Sequence, residues 1–191
     1  MEFNQKLTEV LNDLIRINND RIKGYQKASD EAGEKDLDLK KIFNKMADES
    51  RQYIAELSKE VVNLGGEPLT STTVSGKIYR AWTDLKAGFT DSTRLVLLES
   101  REHGEDAAQK AYQQALVADE TLSIDIRQLI ANQKDLIKKS HDTIRRFRDM
   151  HKTAVTDNLT DAEILRSSKN DLRSEQDLDT QLTGSGNLRK P

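Results

Sequence analysis

The sequence contains no cysteine, only two prolines in 191 residues, and only 5% aromatic side chains. Without cysteine there are no disulfides, no thiolate metal sites and no cysteine nucleophile. So few prolines and bulky rings argue against a β-sandwich or barrel, which needs frequent turns and large strand residues. An excess of one charge is also missing: 30 basic residues face 33 acidic ones, a formal net charge of −3. That balance leaves no electrostatic footprint for nucleic acid, and no polybasic cluster marks a membrane surface. No segment approaches the roughly 18 apolar residues of a membrane span. The opening Met1-Glu2-Phe3-Asn4-Gln5-Lys6 lacks the basic patch and apolar run of a signal peptide. The expectation is a cytoplasmic, soluble protein with neither nucleic-acid nor membrane partners.

What the chain does have is charge, 33% of residues, beside 35% hydrophobic ones. This mixture suits long helices with solvated outer faces and narrow apolar stripes. Four periodic segments follow. The first carries Phe3, Leu7, Leu11, Leu14, Ile22 and Tyr25 and ends near Gly33. The second begins after Asp36 or Asp38, both able to cap a helix, and runs through Leu39, Ile42, Phe43, Met46, Tyr53, Leu57 and Val61 to Gly65-Gly66 and Pro68. The third starts near Asp91 or Ser92 with Leu95, Leu98, Tyr112 and Leu116; the fourth spans about Ser123 to His151 through Ile126, Ile130, Ile137, Ile144 and Phe147.

Connection lengths set the topology. Helices one and two, and likewise three and four, are joined by a few residues and must be antiparallel. Between Gly65 and Asp91 lies a long link with a short helical piece at 77–87 that places Ile78, Trp82, Leu85 and Phe89 on one side. Such a link can traverse the bundle and make helices two and three parallel. The fold class is therefore all-α: a ferritin-like four-helix bundle, two helical hairpins joined by one long crossover containing a short helix. The bundle domain occupies residues 1–152. Residues 153–191 turn polar and aromatic-free, a largely disordered tail with a capping-box pattern at Thr160-Asp161-Ala162-Glu163.

Polar residues interrupt the stripes near mid-bundle: Asn18, Glu49 with Gln52, Glu102 with Glu105, and His141 with Lys138. A di-iron carboxylate bundle takes one Glu from each of two helices and a Glu-x-x-His pair from each of the other two. The similarity of Lys23-Gly24-Tyr25-Gln26 to Lys110-Ala111-Tyr112-Gln113 supplies a register, in which the lone positions are Asn18 and Glu105 and the pairs are Glu49-Gln52 and Lys138-His141. Glu49, Glu105 and His141 keep ligand chemistry, whereas the Lys138 ammonium would oppose two divalent cations. A degenerate di-iron site follows: no metal or other cofactor is expected, and a polar network with Lys138 or His141 contacting Glu105 or Glu49 is preferred. Iron or manganese held by Glu49, Glu105 and His141, with Glu102, is the alternative. No catalytic residue can be nominated from spacing.

Several motifs occur together and in order: Leu11-Asn12-Asp13-Leu14-Ile15, Leu64-Gly65-Gly66-Glu67-Pro68, Trp82-Thr83-Asp84-Leu85-Lys86, Gly104-Glu105-Asp106-Ala107-Ala108, Lys110-Ala111-Tyr112 and His141-Asp142. In these the chain resembles a bacterial four-helix-bundle family, a domain of unknown function in the ferritin-like superfamily, over about residues 3–150. The resemblance implies a bacterial source, a ferritin-like fold and an association with stress; it implies no activity, substrate or cofactor. The expectation is a non-enzymatic structural or interaction protein, with self-association into a homo-oligomer or an unidentified protein partner left open. The alternative is a ferritin-like metal-binding protein or oxidoreductase.

Overall fold

A computed structural model describes residues 2–32, 34–71, 94–118, 122–156, 166 and 168–170. The helices are α1 (Glu2–Glu31), α2 (Leu37–Asn63), α3 (Arg94–Ala118) and α4 (Ile124–Thr156). The 33 residues of α4 span about 50 Å at 1.5 Å per residue. Among the described residues there is no strand, and no helix is long and apolar enough to cross a membrane. Ile78, Trp82, Leu85, Phe89 and the expected short helix lie outside the described residues, as does the capping box at Thr160-Asp161-Ala162-Glu163.

Each helix buries one stripe with alternating spacings of three and four. In α1 the series is Leu7, Leu11, Leu14, Asn18, Arg21, Tyr25 and Ala28, continued by Ala32 just past its end; in α4 it is Ile126, Ile130, Gln133, Ile137, Ser140, Ile144 and Phe147. The apolar members form a core shared by all four helices, with Leu11, Leu57, Tyr112 and Ile130 among those fully enclosed.

Cross-helix bonds fix the directions. Arg21 reaches Glu105 while Asn18 reaches Tyr112, so α1 and α3 are antiparallel. Ser140 meets Glu49 while Gln133 meets Glu56, so α2 and α4 are antiparallel as well. Arg94, at the start of α3, sits on Asp36 and Asp38 at the start of α2. These two helices therefore begin at the same end and run parallel, the ferritin-like order. Asp36 occupies the N-cap position of α2 but makes no side-chain capping bond. Its carboxylate instead accepts from Arg94 Nη1 at 2.7 Å, and Asp38 Oδ1 accepts from the same nitrogen at 2.9 Å. A carboxylate–guanidinium bond carries charge on both partners, whereas a cap to a backbone N–H carries it on one. Burial would raise the Asp38 carboxyl, but Arg94 more than offsets it and the group lies below its ordinary range.

The exit from α2 is equally specified. Gly65 has φ +82°, Gly66 N–H donates to Val61 O at 2.9 Å and Gly65 N–H to Val62 O at 2.9 Å, a Schellman closure. Gly66 lies so close to α1 that a Cβ would stand 2.5 Å from Thr8 Cγ2. The chain then docks on Asn12, whose Nδ2 donates to Glu67 O at 3.1 Å and whose Oδ1 accepts from Leu69 N–H at 2.9 Å. About two turns further along α1, Asn19 Nδ2 donates to Ser71 O at 3.1 Å. The crossover thus sets out along α1, away from the end where α2 finished.

The protein divides into two compact units, Met1–Arg148 and Asp149–Pro191. The first is the bundle just described. In the second, the described residues are the last turns of α4, together with Arg166 and 168–170, which are helical.

Asn12→Ala leaves the Leu69 N–H and the Glu67 carbonyl without their partner and should lower the unfolding free energy by about 1–3 kcal/mol. Far-UV circular dichroism should show unchanged helix content. A urea midpoint equal to that of the unaltered protein would show that the crossover does not depend on this amide.

Candidate functional site, a buried polar network

Midway along the bundle the stripes place charged and polar groups where a core would ordinarily be apolar. Arg21 of α1 and Glu105 of α3 both have side chains at 0% exposure. They form a two-pronged pair: Arg21 Nε donates to Glu105 Oε1 at 2.8 Å, and Nη2 donates to Oε2 at 3.0 Å. The third guanidinium nitrogen, Nη1, donates to Ser50 Oγ of α2 at 2.8 Å and to Asn18 Oδ1 at 3.3 Å. Tyr25 OH donates to Glu105 Oε1 at 2.6 Å. The network then runs to α4. Asn18 Nδ2 donates to Tyr112 OH at 2.6 Å, Tyr112 OH donates to Gln133 Oε1 at 2.8 Å, and Gln133 Nε2 donates to Glu56 Oε2 at 2.8 Å. All four helices contribute, and the path ends at a carboxylate that is only partly buried.

The electrostatics follow from enclosure. Burial by itself would make the Arg21 guanidinium easier to deprotonate; the Glu105 charge, then Tyr25 and Tyr53, overturn that and hold it above its ordinary value. Burial pushes the Tyr25, Tyr53 and Tyr112 hydroxyls upward, so all three stay neutral donors or acceptors at physiological pH. Glu49 sits at the rim. Its carboxylate accepts from Ser140 Oγ at 3.4 Å and lies 3.9 Å from Lys45 Nζ. Burial raises its pKa, Lys45 and Arg21 oppose the rise, and the Glu105 charge adds to it.

The cation facing Glu105 is therefore Arg21, not the Lys138 or His141 that spacing suggested. Lys138 is 62% exposed and pairs with Asp142 one turn on, which lowers the Asp142 carboxyl. His141 lies on the flank of α4, its Nε2 3.1 Å from Asp106 and 3.8 Å from Glu102, its Nδ1 3.2 Å from Asp142. Glu102 also pairs with Arg148. Gln52 is exposed and donates to Glu56 Oε1. Lys138 and His141 each follow a stripe residue, Ile137 and Ser140, by one position, and one residue turns a helix by about 100°. That rotation carries them off the inward face.

These positions do not assemble the donor set of a dinuclear centre. Glu105 has both oxygens committed to a permanently charged guanidinium, and Glu49 and His141 point to separate partners. Among the described residues no group of three or more His, Asp or Glu side chains is arranged to hold a metal ion.

Arg21 went unnoticed in the sequence because a charged residue does not register in hydrophobic periodicity. The signal was present nonetheless. Arg21 falls between Asn18 and Tyr25 on the three-four series, whereas Ile22, assigned to the stripe, is only half-buried. Arg101 of α3 was missed for the same reason; it is buried and its Nη1 donates to Gly24 O at 2.6 Å.

Residues 6–118, which comprise most of the first three helices and the crossover, match the family described as a domain of unknown function, DUF2383. The chain belongs to that family. No curated protein matches it. A mutant of Dps1 from Mycobacterium smegmatis is a structural neighbour, with a TM-score of 0.66 at 15% identity over 76% of this chain and 96% of that one. At that identity the likeness speaks for the fold, a ferritin-like bundle. The family match ends where α3 ends, although Gln133 of α4 completes the network.

Arg21→Met leaves Glu105 buried without its cation and should destabilise the bundle by about 3–5 kcal/mol; the double variant Arg21→Met/Glu105→Leu should recover most of that loss. Equilibrium denaturation of these two variants and of Glu105→Leu measures the coupling, and strictly additive losses would mean that the two side chains do not act as a pair. A second expectation concerns pH. A raised Glu49 pKa means a contribution to stability that is present at low pH and disappears as pH rises through the folded value. Glu49→Gln should therefore be more stable than the parent at pH 7 and lose that advantage at pH 4. Thermal melts across this interval test it, and a parallel pair of curves would contradict it.

Proposed function

We propose that this protein is a non-catalytic ferritin-like bundle with a structural or interaction role, whose mid-section is held by a protein ion pair instead of by metal. The observation that supports it most directly is the full engagement of Glu105, with both oxygens on Arg21 and one also on Tyr25. A carboxylate in that state has little left to offer a metal ion, and a guanidinium cannot give up its charge to make room. The rest of the network consists of amides, hydroxyls, neutral phenols and the single Glu56 carboxylate at its end, which supply no nucleophile with an adjacent base. The ordinary charge balance and the absence of a long apolar helix among the described residues suit a cytoplasmic partner protein in a bacterial cell, acting under stress as its family resemblance implies.

The full-length protein, prepared without a histidine tag and incubated anaerobically with ferrous or manganous salt, should retain less than one metal ion per chain after desalting. On exposure to air the iron-treated sample should consume oxygen no faster than buffer. Stoichiometric retention that disappears in Glu105→Ala would remove this reading in favour of a metalloprotein.

A further inference from the structure

The guanidinium of Arg21 is surrounded in a manner that fits its own shape. Two parallel bonds reach the carboxylate of Glu105, and the remaining nitrogen is shared by Ser50 Oγ and Asn18 Oδ1. Four of the five N–H donors of a guanidinium are thus matched by oxygens on three helices, and every contributing residue is at 0% exposure. The guanidinium carbon also lies 5.7 Å from the centre of the Tyr25 ring and 5.8 Å from that of Tyr53, within cation–π range. A spherical divalent cation would use neither the fork nor the rings, and it would take six or more oxygens where this cage presents four. Oxygens fixed at such positions by helix packing do not depend on the tether that brings the cation to them.

We propose that the mid-bundle cage is a receptor for a planar guanidinium cation, with Arg21 as its resident ligand, and that it will accept a free guanidinium-type cation when the side chain is cut back. The inference rests on the metal-free reading above and gives that site a ligand class. Discrimination lies in the fork: an ammonium carries equal charge but presents its donors from a single point and cannot span both Glu105 oxygens while reaching Ser50.

The test uses the full chain carrying Arg21→Ala, with methylguanidinium chloride as the probe at low millimolar concentration. Methylammonium chloride at equal ionic strength and manganous chloride serve as the comparisons. Methylguanidinium should raise the urea midpoint of the variant saturably; at ten times its dissociation constant the folding equilibrium constant should rise about elevenfold. It should leave the unaltered protein, whose cage is filled, unchanged. An equal response to methylammonium, or tighter binding of manganese than of methylguanidinium by calorimetry, would overturn the proposal. If Arg21→Ala does not fold, Arg21→Lys decides. A lysine variant that melts at the parent temperature would show that only charge is recognised, and one that melts below Arg21→Met/Glu105→Leu supports the cage. Failure of methylguanidinium to bind leaves the metal-loading result on the unaltered protein intact, so the two readings fall separately.

Discussion

The Arg21–Glu105 pair is the constraint to which the rest of this bundle is fitted. Two opposite charges have been taken fully out of water, a transfer that costs several kcal/mol per ion even after relaxation. Such a pair is tolerable only if its geometry is good and the remaining donors and lone pairs are met. That requirement explains why the surrounding stripe positions are Asn18, Ser50, Tyr25, Tyr112 and Gln133 and not leucines: each supplies the next hydrogen bond outward until the path reaches the partly solvated Glu56. The network also fixes register. A one-residue slip of α1 against α3 would leave both charges buried and unmatched, whereas an all-leucine layer would tolerate it.

The same device recurs where the topology has to be enforced. At one end Arg94 bridges Asp36 and Asp38 and so holds the start of α3 beside the start of α2, the parallel arrangement that separates a ferritin-like bundle from a plain up-and-down one. At the other end no charge is needed, because Gly65 and Gly66 turn the chain and Asn12 receives it through both atoms of its amide. Two motifs that carried the family resemblance, Leu11-Asn12-Asp13-Leu14 and Leu64-Gly65-Gly66-Glu67-Pro68, are thereby parts of a single contact. Gly104-Glu105 and Lys110-Ala111-Tyr112 likewise meet the network of α1.

How much of this could be read beforehand depended on the kind of interaction. Helix positions, the antiparallel hairpins and the parallel middle pair all follow from apolar spacing and link lengths, because these report burial and reach directly. The site was legible in part. Asn18 and Glu105 were placed at mid-bundle by interruptions of the apolar stripe, and both are there. Their partner was not found, since Arg21 looks like a surface residue until its position in the series Leu14, Asn18, Arg21, Tyr25 is counted. Lys138 and His141 were drawn inward by assuming that height along the bundle was enough; rotation about the helix axis mattered as much. Ser50, Gln133 and Ser140, small or neutral at inward positions, gave no charge signal at all.

A bundle that takes its central cation from its own chain differs thermodynamically from one that takes it from solution. Where a metal fills the site, binding free energy is folding free energy, and stability follows metal supply, chelation and the protonation of the ligands. Here the cation is covalently attached and, unlike a lysine ammonium, cannot lose its proton when buried. The cage therefore carries its cation wherever the helices pack, and that cation keeps its charge across the ordinary pH range. What can still titrate is the rim, where Glu49 looks both toward Arg21 and outward to Lys45 and Ser140. Through that carboxylate the surroundings reach the mid-section, whereas the charges further in are already spoken for.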